Sequence, residues 1–370
     1  MRVPLLDINP PLINTPCPAA TTLEDLIALW NCPSTGAITT RTSTRDGFNH
    51  DKTKNLYVFY DSSSHTVSPT TNPSPFETAP NQNATLNSLG YSPYPLADYR
   101  SFIRTIAKHH PAPNGRRRKT IIISVTGSAD DVAHCYREIA FLQLEFMSKF
   151  DLAMEVNLSC PNIPGHQPPA YDFDVLKEYI TRIRLAAKHD TWTMGYPRVP
   201  VGLKTPPYTY ETQFANLLRA LDVDVDVEGA VPSPMEQDQM MGTDVSREGG
   251  SPISFITATN TLGSCLGFAD IASGEAALPS ESGMGGLAGA PLHPLALGNV
   301  KTIRKMLDER KETLGQVQVI GVGGVLDTAG YRRMRKAGAD VVGLASGLLL
   351  KGVAVFGEIE KGLGDGEDKW

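Results

Sequence analysis

Eight short, β-branched apolar runs recur along the chain, each followed by a loop and often by a stretch with helical spacing. They are Pro11–Cys17, Gly36–Thr40, Thr120–Val125, Ala153–Ser159, Val201–Thr205, Phe255–Asn260, Val317–Gly324 and Asp340–Ser346. Runs of this length and apolarity read as strands buried on both faces, which is the condition of a parallel sheet. The intervening stretches Thr22–Trp30, Ala129–Phe150, Phe173–His189, Glu211–Leu221, Leu295–Leu307 and Thr328–Ala337 carry apolar residues at helical spacing. Alternating strands and helices imply a parallel α/β architecture, and eight strands predict a single (β/α)8 barrel of the TIM type.

The 370 residues would allow two domains, but the period accommodates them as one barrel with two insertions, about 62–84 and 222–250. Ser62–Ala84 is rich in Ser, Thr, Pro and Asn. Asp222–Gly250 holds eight acids against one base, Arg247, which accounts for more than the whole net charge of −6. Neither can bury much apolar surface, so both read as loops or disordered segments, either active-site lids or tolerated surface insertions. A mildly acidic chain is not expected to bind nucleic acid, and no apolar run approaches the ~18–20 residues of a membrane span. The proline-broken start MRVPLLDINPPLINTP predicts no signal peptide. Cys17, Cys32, Cys135, Cys160 and Cys265 form an odd set without a CxxC pair, which points to the cytosol and away from disulfides, structural zinc or an iron–sulfur cluster.

In such a barrel the chemistry sits at the C-terminal strand ends. The fourth run ends in Asn157-Leu158-Ser159-Cys160-Pro161-Asn162, a polar loop stiffened by proline. The fifth ends in Lys204-Thr205-Pro206-Pro207, and a lysine closing an apolar strand is costly unless it meets an anion. The sixth ends in Thr259-Asn260-Thr261, and Asn87 follows the first insertion. Side-chain amides both donate and accept, which suits a planar, amide-rich ligand. Gly321-Val322-Gly323-Gly324 and Ala345-Ser346-Gly347 close the last two runs, the usual phosphate site of barrels. Gly283–Gly289 reads either as a close approach to a flat ligand or as a flexible turn.

NLSCPNIPG, NSLG, GLKTPPY, TATNT, GMGGLAG and GVGG, in this order from about Asn9 to Gly362, resemble the class 1 dihydroorotate dehydrogenases, most closely the soluble class 1A enzymes. The resemblance implies an FMN-binding barrel that oxidises dihydroorotate to orotate in pyrimidine biosynthesis. It further implies a cytoplasmic homodimer that passes electrons to fumarate. Carried over by position, Cys160 would be the catalytic base. Lys204 would stand beside the flavin as a catalytic and cofactor-binding cation. Arg41, Asn87, Asn157, Asn162, Asn260 and Thr261 would bind substrate. Thr259, Gly286, Gly323, Gly324, Ala345 and Ser346 would join Lys204 around FMN.

This chain departs from the family pattern at four places. Arg41 stands for a lysine, Pro16-Cys17 for Ala-Gly, Ala345 for a glycine and His293 for a lysine. Arg41 either contacts the ligand or pairs with Asp46, and His293 reads as a helix-flanking surface residue. The alternatives are an FMN-binding pseudoenzyme, or a flavin oxidoreductase for a different small substrate.

Overall fold

The computed structural model describes residues 4–110, 119–146, 149–159, 168–222 and 251–364. Fifteen strands lie among them: β1 (Leu12–Asn14), β2 (Ala37–Thr39), β3 (Tyr57–Asp61), β4 (Thr66–Val67), β5 (Ala84–Asn87), β6 (Thr120–Val125), β7 (Asp151–Asn157), β8 (Val201–Thr205), β9 (Phe255–Ala258), β10 (Leu262–Leu266), β11 (Phe268–Asp270), β12 (Glu275–Ala276), β13 (Met284–Gly289), β14 (Gln318–Val322) and β15 (Val341–Leu344). Eight of them close a parallel barrel in the order β1-β2-β6-β7-β8-β9-β14-β15. Each falls on one of the eight apolar runs. The six helical stretches are helices too, and Leu96–His109 is a further one.

Alternation along each strand sorts the barrel from its wrapping. Ile13, Ile122, Ala153, Phe255, Ile320 and Val341 form one buried cluster inside, which Leu6 and Ile8 join. The Phe255 ring takes the space opposite Gly202, where a Cβ would stand 2.1 Å from it. Two residues further along, the interior turns polar: Thr39, Ser124, Glu155 and Thr257 are all buried. A greasy plug therefore closes one end, and the hydrogen-bonding floor of a cleft lies above it. Outside, Leu26, Ile103, Ile139, Ile183, Leu218 and Ile303 join the strands in one continuous core. The helix Leu23–Asn31 shows how its ends are held. Thr22 and Asp25 form a capping box at its start, and Lys119 Nζ donates to Leu29 O, Trp30 O and Cys32 O at 2.9 Å each at its finish.

The Ser62–Ala84 stretch is not the plain loop its composition suggests. Tyr60 pairs with Val67 and Asp61 with Thr66 to make a hairpin, and a capped single turn follows at Pro75–Glu77. Polar side chains supply the bonds that a short hairpin lacks. Asp61 accepts from Ser63 N at 2.8 Å, and Ser68 Oγ spans Phe59 N and Thr70 O at 3.0 and 2.9 Å. Gly283–Gly289 is likewise no flexible turn, because Met284–Gly289 is a strand. It pairs antiparallel with β5, matching Gly286 to Asn87 and Leu287 to Leu86. Its glycines answer to proximity: a Cβ on Gly285 would meet Asn87 O at 2.1 Å, and one on Gly286 would meet Thr261 Oγ1 at 2.4 Å. The result is a five-stranded sheet, β10-β13-β5-β3-β4, built from the chain after β2 and after β9. Of the second insertion, 223–250 lies outside the described residues.

Candidate active site

The barrel's C-terminal strand ends and the small sheet together wall one cleft. Arg41, Thr42, Asn157, Lys204, Asn260, Ala345 and Ser346 come from the barrel, and Tyr57, Thr85 and Asn87 from the sheet. Thr85 Oγ1 lies 3.2 Å from Ser346 Oγ and ties the two together. A second compartment adjoins it, lined by Thr259, Gly323, Gly324, Gly343 and Gly347. Pro16, Lys204, Asn260, Thr261, Ala345 and Ser346 border both compartments. No carboxylate lines either one among the described residues, whereas Arg41 and Lys204 both do. The cleft is thus electropositive and suited to anionic or electron-rich ligands.

The amides at the strand ends are interlocked. Asn157 Oδ1 accepts from Ser159 N at 3.3 Å, Ser159 Oγ at 3.1 Å and Asn260 Nδ2 at 3.3 Å. Asn260 Nδ2 also donates to Ser159 Oγ at 3.0 Å, and Thr261 N donates to Asn260 Oδ1 at 2.8 Å. Asn87 Nδ2 donates to Gly286 O at 2.9 Å, so Gly286 stands behind the cleft, holding an amide that lines it. Lys204 is buried at 5 % exposure, and its ammonium makes no hydrogen bond among the described residues. Thr259 Oγ1 is also buried and without a partner among them. A cation and a hydroxyl left this way, bordering the same compartment, are groups that a bound polar ligand would satisfy.

The expected residues therefore meet. Arg41, Asn87, Asn157, Lys204, Thr259, Asn260, Thr261, Gly323, Gly324, Ala345 and Ser346 line the two compartments. Cys160 and Asn162 lie outside the described residues; Ser159, immediately before Cys160 in the chain, is buried in the amide network. Arg41 is buried in the cleft with Nη1 3.5 Å from Thr21 Oγ1, while the exposed Asp46 pairs with Arg45. Asp46 is therefore not the partner of Arg41, which leaves ligand contact as a proposal. Cys17 lines the cleft as well, and burial pushes its thiol up to about 12. It is a packing group, not a nucleophile. Tyr57 and Thr85 escaped the sequence reading, because their sheet is formed only by pairing distant segments, and so did Tyr91 in the loop after β5. Thr42 did carry a signal, as the neighbour of Arg41.

His293 is not the surface residue expected. It is buried at the start of the helix His293–Glu309, with Nδ1 2.7 Å from Gly323 O and Nε2 accepting from Arg333 Nε at 3.0 Å. A carbonyl can only accept and a guanidinium only donate, so the ring is neutral and carries its proton on Nδ1. Burial above all, and then the facing Arg333, hold its pKa below the ordinary value, against the Gly323 bond and Asp327. An unfolded histidine takes up its proton near pH ~6.5, so this site contributes stability above that pH and loses it as pH falls towards the lower folded value. The wild-type melting temperature should therefore fall more between neutral and mildly acidic pH than that of His293→Gln. Parallel falls would discard this account.

Residues 61–366 match the family model described as dihydroorotate dehydrogenase. The chain is 27% identical over 282 residues to dihydroorotate dehydrogenase (fumarate) of Saccharomyces paradoxus, covering 76% of this chain and 72% of that one. It is 25% identical over 292 residues to a putative dihydroorotate dehydrogenase A (fumarate) of Streptococcus uberis, covering 79% and 75%. The ligand-free crystal structure of DHODH from Eimeria tenella superposes with a TM-score of 0.62 at 16% identity, covering 96% of this chain and 84% of that chain, a likeness of fold. Cys17 and Arg41 precede the segment that the family model matches.

Proposed function

Because this chain belongs to the dihydroorotate dehydrogenase family, we propose that it oxidises dihydroorotate to orotate in pyrimidine biosynthesis, with FMN as cofactor and fumarate as electron acceptor. One observation carries the reading: Lys204, buried and without a hydrogen bond among the described residues, stands where an amide-lined compartment meets a glycine-lined one. The residues present fit the cofactor. Thr259, Gly323, Gly324, Ala345, Ser346 and Lys204 would hold it, with Gly286 supporting the wall beside it. Bound there, FMN would take up the hydride that leaves C6 of dihydroorotate.

The chain's own residues supply the rest. Arg41 faces the substrate carboxylate, where its planar fork binds bidentately. Asn87, Asn157, Asn162, Asn260 and Thr261 match the ring amides with fixed donors and acceptors, which orients the ring before reaction. Cys160 takes the C5 proton, so that the C5–H and C6–H bonds are replaced by a C5=C6 double bond. Lys204 presents positive charge where negative charge gathers.

Purified protein should be yellow, and anaerobic dihydroorotate should bleach it. A preparation that cannot be loaded with FMN would overturn the cofactor assignment. Firmly bound flavin that dihydroorotate does not bleach would overturn the substrate. No described helix is long and apolar enough to cross a membrane. The same reading makes the protein a cytoplasmic homodimer, which light scattering would report as twice the 40.0 kDa chain.

A further inference from the structure

Glu155 lies inside the barrel at 2 % exposure and is absent from the lining of either compartment. A carboxylate only accepts, so it sets the direction of every bond leading to it. Thr257 Oγ1 donates to its Oε2 at 2.7 Å and Ser124 Oγ to its Oε1 at 3.1 Å. Ser124 has one hydroxyl proton, which this bond uses. In its 3.0 Å contact with Thr42, Ser124 Oγ is then the acceptor and Thr42 Oγ1 the donor. With its own proton committed, Thr42 Oγ1 accepts from Asn157 Nδ2 at 3.1 Å. The chain Asn157 → Thr42 → Ser124 → Glu155 thus runs one way from the cleft into the barrel.

That direction agrees with the one the Asn157 amide takes from the Ser159 backbone N–H, which can only donate to Oδ1. With Nδ2 turned to Thr42, Oδ1 faces Ser159 N, Ser159 Oγ and Asn260 Nδ2, all of which donate to it. The reversed amide would set its N–H groups against those of Ser159 and Asn260. Asn260 is polarised in turn, since its Nδ2 is committed to Asn157 and Ser159 and its Oδ1 to Thr261 N. We propose that Glu155 is a positioning residue which, through Ser124 and Thr42, anchors Asn157 Nδ2 and so holds the donor and acceptor edges that Asn157 and Asn260 present to the substrate ring. This rests on the dihydroorotate reading of the cleft. It makes the site selective for one order of ring N–H and C=O groups.

The test uses the full chain loaded with FMN and titrates orotate by calorimetry. Ser124→Ala removes one oxygen outside the cleft, and Glu155→Gln keeps the shape of the side chain but adds a donor. Each should weaken orotate binding by about 10-fold, the loss of one buried hydrogen bond to an oriented group. The double variant should be no worse than the weaker single, because both changes cut the same chain. FMN affinity, followed by fluorescence, should stay within about twofold in Ser124→Ala; general damage to the barrel would lower both affinities. Ser124→Ala binding orotate as wild type does, a parallel loss of FMN, or additive losses in the double variant would overturn the relay. If Glu155→Gln does not fold, Ser124→Ala decides alone. Wild-type holoprotein that fails to bind orotate overturns the substrate reading instead, and the relay with it.

Discussion

Full-length protein carrying Cys160→Ala reduces its flavin with dihydroorotate about 100-fold or more slowly than wild type, with FMN still bound. The expectation rests on what the reaction needs and on where the chain runs. A C5 proton does not leave without a base, and Cys160 directly follows Ser159, which is bonded to both Asn157 and Asn260. The other thiol at the cleft is a poor substitute, since burial pushes Cys17 up to about 12 and leaves almost no thiolate at neutral pH. The measurement is anaerobic stopped-flow bleaching. A free thiol titrates near ~8.5, so the wild-type rate should climb towards that pH, and the variant's residual rate should not follow it. A Cys160→Ala protein that bleaches at the wild-type rate would move the base elsewhere.

Lys204→Met should lower the same bleaching rate by about 100-fold or more and weaken FMN binding. Lys204 Nζ finds no hydrogen-bond partner among the described residues, although the side chain is almost wholly buried. The ammonium faces the two compartments, where a bound ligand would supply the partner that the described residues do not. Methionine has similar length and no charge, so the packing stays and the cation goes. The empty variant should melt no lower than the empty wild type, because no hydrogen bond or ion pair of Lys204 among the described residues is lost. Unchanged flavin affinity together with an unchanged bleaching rate would sink this role. A lower melting temperature of the empty variant would show that Lys204 has a structural partner after all.

The repeat of apolar runs was enough to place all eight barrel strands, because a strand buried on both faces is predominantly apolar whatever its neighbours are. The strand-end residues were legible for a related reason. Lys204 and Asn157 stand at the C-terminal ends of buried strands, where a polar group is worth its cost only if it meets a partner or a cleft. The small sheet was not legible. Ser62–Ala84 has the composition of a loop, and its hairpin exists because Asp61 and Ser68 satisfy the turn. Gly283–Gly289 has the composition of a turn and is a strand, because Asn87 and Thr261 leave no room for a Cβ. His293 looked like a surface residue until the fold brought Gly323 and Arg333 to its two ring nitrogens.

The division follows the range of the forces. Strand and helix periods, the apolar plug and the polar strand ends are local patterns, so the amino-acid order alone determined the barrel and the end at which its chemistry lies. The wall formed by β5 and β13, the neutral tautomer of His293 and the one-way chain from Asn157 to Glu155 join residues tens to hundreds of positions apart. A hydrogen bond has a direction only when donor and acceptor are both in place. Ser159 N, two residues along, turns Oδ1 of Asn157 towards itself, but what holds Nδ2 on the other side was decided by tertiary structure, where Ser124, Thr42 and Glu155 meet.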